Sequence, residues 1–504
     1  MHPPAHSPRT QAAPAGENAL SNEDLLPTTA AQRSWRWYHF AALWIGMVMC
    51  IPCYMLAAGL LEQGMSAPQA VMTVFLGNLI ILGPMLLVGH AGARYGIPFP
   101  VMARAAFGVH GAKLPALLRA IVACGWFGIQ TWVGGNTLHT LVEVALGTRL
   151  PSTPVLGTTV SLLACFVVFW LVQLAFVQKG IELIRRLETW TAPLKIVICV
   201  VLVGWALDRA GGLGPIVSAP SAFAPGGAKA GQFWAVFWPA LTAMVGFWGT
   251  LSLNIPDFTR FARSQSDQII GQAVGLPAPM GLLALVSVIV TSATVVIYGK
   301  AIWDPVALAG NFSGVAVLVA LLVISIDTVS CNLAANLVGP AYDFSALAPR
   351  HVSYRTGAYI TAVIGALVLP WNLLASTQGY IFVWLVGYSA LLGPVVGVLI
   401  ADYWIVRRGE LVVADLYRAQ GCYAYRKGWN PVAIVAFVAG VLPNVPGFLH
   451  AAVPAVFSDP GVFWRTVYTY AWFVGAAIAV AVYVGATAAR QRGTPVPPAP
   501  LRNA

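Results

Sequence analysis

Apolar runs of bilayer length follow one another along this chain from residue 39 to residue 487. Lipid offers no partner for backbone N–H and C=O groups, so a long apolar run crosses it as a helix of ~20 residues. About twelve such segments can be read, each near that length. Numbered 1 to 12, they lie at 39–61, 68–89, 114–145, 158–178, 189–207, 232–253, 270–299, 313–338, 357–375, 379–401, 430–451 and 461–487. The chain is 58% hydrophobic and only 9% charged, where soluble domains carry about 25% charged residues. These observations predict an all-α polytopic membrane protein with about 12 transmembrane helices.

The net charge of +11 belongs to topology, not to nucleic-acid binding. Arg94, Arg104, Lys113, Lys179, Arg185, Arg186, Arg260, Arg263, Arg350, Arg355, Arg407, Arg408, Arg418, Arg426 and Lys427 fall in alternate connections. The other connections hold Arg149, Arg209, Lys229, Lys300 and little else. That asymmetry puts both termini in the cytoplasm. Residues 1–22 and 489–504 read as disordered cytoplasmic tails. Lys195 and Arg119, each near a segment end, are expected to snorkel to the cytoplasmic surface. Six of the seven cysteines lie in apolar segments, and no disulfide or zinc pattern is read among them.

Segments 1 and 6 are interrupted. Pro52 follows Met49-Cys50-Ile51 in the middle of segment 1 and removes a helical hydrogen bond. Segment 6 carries Gly246-Phe247-Trp248-Gly249, where two glycines weaken the helix. Paired breaks at corresponding positions of two halves point to a transporter with a site near the bilayer midplane. Segment 3 supplies Trp126 and Gln130, four residues apart and so on one helix face. An aromatic plate one turn from a carboxamide suits a flat polar heterocycle. Segment 8 is too polar to face lipid: Asp327, Ser330 and Cys331 share one face, and Asn336 lies about 180° from Asp327. That helix can serve two cavities, one with an acid and a hydroxyl, one with an amide. An acid inside a membrane span is a functional hypothesis by default. No phosphate loop, metal-ligand cluster or nucleophile elbow is present in the sequence, so an enzyme is not expected.

Several motifs resemble the nucleobase–cation symport-1 family, over roughly residues 22–485. They are Asn22-Glu23-Asp24-Leu25-Leu26-Pro27-Thr28, Tyr95-Gly96-Ile97-Pro98-Phe99-Pro100 with Arg104 and Phe107-Gly108, and Trp126 to Trp132. Asn254-Ile255-Pro256-Asp257-Phe258-Thr259-Arg260, Asn332 to Asn336 and Leu392-Gly393-Pro394 complete the set. The resemblance implies a leucine-transporter-like fold of two inverted five-helix repeats plus two C-terminal helices. Here those are residues 23–207, 232–401 and 402–488. It also implies that Trp126 and Trp248 sandwich the substrate, that Gln130 and Asn336 hydrogen-bond it, and that Cys50, Gly249 and Leu385 adjoin it. A coupling cation, Na+ or H+, would sit against carbonyls of Gly46, Met49 and Asp327 and side chains of Ser330 and Cys331.

The chain departs from the family's hydantoin-transporting pattern at three of these positions. Cys50 replaces a glutamine, Cys331 a threonine, and Asp327 a small residue. Sulfur is a poor partner for sodium. The acid at 327 either carries a proton or restores the oxygen that Cys331 removes. The reading is thus a secondary active importer, a monomer in a bacterial inner membrane. Its substrate is a small planar heterocycle of uracil, allantoin or hydantoin type, and it has no cofactor beyond the coupling cation. The alternatives are a carrier of a larger purine, nucleoside or thiamine-like compound, or a passive channel.

Overall fold

The computed structural model describes residues 20–177, 180–372 and 378–493. Residues 1–19 and 494–504, most of the two expected tails, lie outside the described residues. Helices dominate, and the strands described are a two-residue hairpin, Pro154–Val155 with Thr158–Thr159. Nine described helices are long and apolar enough to cross a membrane, ten if the bent pair of segment 1 counts as one. Two expected segments are shorter helices: segment 6 begins as Phe233–Phe247, and segment 9 is Tyr354–Leu367.

Segment 1 consists of Trp37–Val48 and Ile51–Glu62, bent by 56° at Met49 and Cys50. Pro52 has no N–H to give Val48, and the Val48 carbonyl instead accepts the N–H of Cys50 at 2.8 Å. The carbonyls of Gly46 and Met47, one turn before the break, are thereby left for other partners. Segment 6 breaks at Trp248, between Phe233–Phe247 and Gly249–Asn254. Segment 8 starts as Val315–Asn332, passes through one π-helical turn, Leu333–Leu337, and continues as Val338–Leu347. Such turns shift the phase of a helix and cluster at functional sites.

The motif residues fasten the basic end of the molecule. Asn22 Nδ2 donates to Ser345 Oγ at 2.8 Å, and Asp24 Oδ2 accepts the N–H of Tyr354 at 2.8 Å. Asp257 Oδ1 caps the helix Phe99–Phe107 by accepting the Phe99 N–H at 2.9 Å. The Arg260 guanidinium donates to the carbonyls of Asp24 and Leu26. Arg104 donates to the carbonyls of Leu20 and Leu416; burial without a carboxylate partner pushes its guanidinium down to about 10. Leu20 and Ser21, placed in the tail by the sequence, are buried in this assembly.

Neither expected snorkelling cation reaches the surface. Lys195 is buried at the core of segment 5, the helix Gly180–Ala210. Arg119 is fully buried on segment 3, Lys113–Leu146, and pairs with Asp343 of segment 8 at 3.4 Å. In both cases a carboxylate on a neighbouring helix, invisible to a reading of one segment, makes the interior tolerable for the charge.

Removing one member of a buried pair leaves the other charge uncompensated, at a cost of about 3–5 kcal/mol. Asp343→Ala should therefore lower the melting temperature of the purified protein markedly. Arg149→Ala breaks a pair whose arginine is 92% exposed and should cost less than about 1 kcal/mol. Thermal unfolding in one detergent compares the two; equal stability of both variants would refute the structural role of the Arg119–Asp343 pair.

Candidate functional site

The two broken segments and segments 3 and 8 meet around a small cavity. Its walls include Cys50 at the first break, Trp126 and Gln130 on segment 3, Phe247 and Trp248 at the second break, and Asn336 on the π turn. Cys331 also faces it. Its free volume of about 20 Å³ holds roughly one water, so a ring can enter only if the walls move. The Phe247 ring lies edge-on to both tryptophans, its centroid 5.0 Å from each. Trp248 also packs edge-on against Trp44 at 5.2 Å. Phe247 was not among the residues expected here; its place in Gly246-Phe247-Trp248-Gly249 was the available signal.

The amides are oriented by a network behind the cavity. Asn332 Nδ2 donates to Gln173 Oε1 at 2.7 Å and to the Phe127 carbonyl at 3.1 Å. Gln173 in turn donates to Thr131 Oγ1 at 2.9 Å. Asn336 Nδ2 donates to Asn332 Oδ1 at 2.9 Å. With its NH2 group engaged there, Asn336 has an Oδ1 to which no hydrogen bond is made among the described residues. Gln130 Nε2 donates to Cys331 Sγ at 3.4 Å, and Gln130 Oε1 has no partner among the described residues. Two carboxamides thus line one cavity from different helices, each with an acceptor oxygen not bonded among the described residues. Gly249 and Leu385 do not line it. A Cβ on Gly249 would meet Tyr388 and Leu392, and Leu385 is fully buried with its carbonyl bonded by Ser389 at 2.6 Å.

The expected cation position is arranged differently from the sequence reading. Lys195 Nζ lies 2.6 Å from the Gly46 carbonyl and 2.5 Å from Asp327 Oδ1. Glu188, seven residues before Lys195 and on the same helix face, lies 3.9 Å from that ammonium and accepts a 2.6 Å bond from Ser330 Oγ. A Cβ on Gly46 would stand 1.5 Å from Glu188 Oε2, so only glycine lets that carboxylate approach segment 1. Cys331 Sγ donates to the Met47 carbonyl at 3.3 Å. Met49 lines a second, larger cavity with Lys195 and Asp327. Among the described residues no group of three or more His, Cys, Asp or Glu is placed to hold a metal. Gly46 has its carbonyl taken by an ammonium, and the Ser330 and Cys331 side chains are donors to other groups. These residues therefore do not fit an open oxygen cage for a metal cation.

That second cavity, about 890 Å³, lies among segments 1, 5, 7 and 8 and is mostly apolar, with Tyr54, Trp205 and Phe312 in its walls. Cys50 lines both cavities, and its Sγ is 3.4 Å from that of Cys53, both thiols being free. Asp327 and Asn336 thus serve different cavities, and Cys331 sides with Asn336.

A family model described as "Permease for cytosine/purines, uracil, thiamine, allantoin" matches residues 27–475. The chain is 46% identical over 437 residues to the purine-uracil permease NCS1 of Arabidopsis thaliana, covering 86% of this chain and 72% of that protein. It is 41% identical over 475 residues to the allantoin permease of Bacillus subtilis, covering 93% of each. Among solved structures, it resembles Mhp1, a nucleobase-cation-symport-1 family transporter, in a closed conformation with bromovinylhydantoin bound. That match has a TM-score of 0.76 at 25% identity and covers 94% of this chain and 97% of the other. With the fold and nearly the whole length matched, the chain belongs to the nucleobase–cation symport-1 family of membrane permeases.

Proposed function

We propose that this protein imports a small planar heterocycle bearing ring N–H groups, of the uracil, allantoin or hydantoin type, by cation symport. The observation that carries the substrate class is the pair of acceptor oxygens, Gln130 Oε1 and Asn336 Oδ1, beside Trp126 and Trp248. A ring imide or ureide offers N–H donors to such oxygens, and its flat face suits an indole. The relatives named for allantoin, purine and uracil support the same class. Cys50 replaces a longer polar side chain at the wall, which leaves the tryptophans and the two amides as the polar reading heads. Trp126, Gln130, Trp248 and Asn336 are therefore the substrate contacts in our reading. Gly249 and Leu385 support the wall from behind.

The coupling cation, in this reading, is H+ and not Na+. Support comes from the thiol at position 331 and from the commitment of Ser330 to Glu188, which leaves few hard oxygens for sodium. The protein works as a monomer in a bacterial inner membrane, with the basic connections and both termini cytoplasmic.

Two measurements check this. With purified protein and uracil or allantoin as ligand, Gln130→Leu and Asn336→Leu should each weaken binding roughly ten- to hundred-fold, as expected for about 1–3 kcal/mol per unpaired buried polar group. Trp126→Ala and Trp248→Ala should lose about 0.5–1.5 kcal/mol of stacking each, plus the buried area. A folded Trp126→Ala variant with unchanged affinity would sink the sandwich. In proteoliposomes, an inward proton gradient without sodium should drive concentrative uptake of the bound compound. Uptake that follows a sodium gradient and ignores pH would reverse the choice of ion.

A further inference from the structure

Five charged or polar groups meet between segments 1, 5 and 8. The Gly46 carbonyl, freed by the break at Pro52, lies 2.6 Å from Lys195 Nζ. Asp327 Oδ1 is 2.5 Å from the same nitrogen, and Glu188 Oε2 is 3.9 Å away. Ser330 Oγ, on the same helix as Asp327, holds the other Glu188 oxygen at 2.6 Å. Lys195 and Glu188 are almost wholly buried, and the Asp327 side chain is 16% exposed. Cys331 and Cys199 are the other ionisable neighbours from segments 8 and 5, and Cys50 is that from segment 1.

These groups share positions 46, 327 and 330 with the cation site that the family resemblance implies. We propose that the ammonium of Lys195 is the resident cation of this site, tethered to segment 5, so that the protein binds no sodium there. The argument is geometric. An ammonium donates where a metal accepts: it hydrogen-bonds the Gly46 carbonyl, and Asp327 Oδ1 stands 2.5 Å from it as an ion-pair partner. A second cation beside it would meet like-charge repulsion in a medium of low dielectric. Asp327 neutralises the ammonium at 2.5 Å, and Glu188, held by Ser330 and admitted by Gly46, adds a second carboxylate at 3.9 Å. The cluster joins a broken helix to two unbroken ones, which is where a sodium ion would otherwise do the bridging. This inference rests on the symporter reading but not on the identity of the substrate.

The test is the thermal stability of the purified full-length protein without substrate, in sodium chloride against choline chloride at equal ionic strength. Wild type should show no sodium-specific shift. Lys195→Ala removes the ammonium and leaves the oxygens of Gly46, Asp327 and Glu188 facing one another. It should be less stable in choline and should gain a saturable rise in Tm with sodium, as a ligand binding only the folded state produces. Ethylammonium or propylammonium, which the adjoining 890 Å³ cavity can admit, should restore Tm in the same variant and leave wild type unchanged. If Lys195→Ala does not fold, the wild-type comparison still decides: a saturable sodium-specific rise in wild-type Tm overturns the proposal. So does a folded Lys195→Ala that responds to neither sodium nor alkylammonium. Failure of uracil and allantoin to bind a protein that passes these tests would overturn the substrate reading alone.

Discussion

A helix can be interrupted inside a bilayer only where other parts of the protein take over its hydrogen bonds. Everything central in this molecule follows from how that requirement is met at Pro52. The proline withholds its N–H from Val48, Val48 takes the N–H of Cys50, and two carbonyls are released. The Lys195 ammonium bonds Gly46 O, and the Cys331 thiol bonds Met47 O. One released carbonyl therefore builds the charged cluster, and the other anchors a wall of the small cavity. The two sites are neighbours because they are repairs to the same break.

The break in segment 6 contributes in another way. Trp248 itself forms the joint between two helices, so its ring is carried to the cavity by the interruption. Phe247 follows it there and lies against both tryptophans. Opposite them, the π turn of segment 8 puts Asn336 on the wall while Asn332 stays in the network with Gln173 and Phe127. The amide that faces a ligand is thus held by an amide that does not. A buried polar chain of this kind is costly unless each member is satisfied, and here the members orient one another.

The motifs that mark the family divide between two tasks. Trp126, Gln130 and Asn336 line the cavity. Asn22, Asp24, Asp257 and Arg260 lie away from it and tie residues 22–26 to the ends of segments 6 and 8 and the start of segment 9, and segment 6 to the helix Phe99–Phe107. Their polar side chains meet backbone carbonyls and N–H groups, so they set the relative positions of helices, and recognition of the family from them is recognition of a scaffold.

Hydropathy alone was sufficient for the fold class, because long apolar runs have one stable form in lipid. Pro52 and the paired glycines around Trp248 located the breaks, since both act on the local backbone. The four-residue spacing of Trp126 and Gln130 located one wall of the cavity for the same reason. Tertiary structure decided the rest. Lys195 sits in a pattern that ordinarily snorkels, and only the packing of segment 5 against Gly46 and Asp327 turns it inward. Glu188 drew no notice in the sequence, two residues beyond Arg186, and it is Ser330 and the bare face of Gly46 that give it a place. Asp327 and Cys331 share a helix face by periodicity, yet one pairs with lysine beside the large cavity and the other lines the small one. Local spacing carries backbone geometry; the partner that neutralises a buried charge comes from another helix, and no single segment contains it.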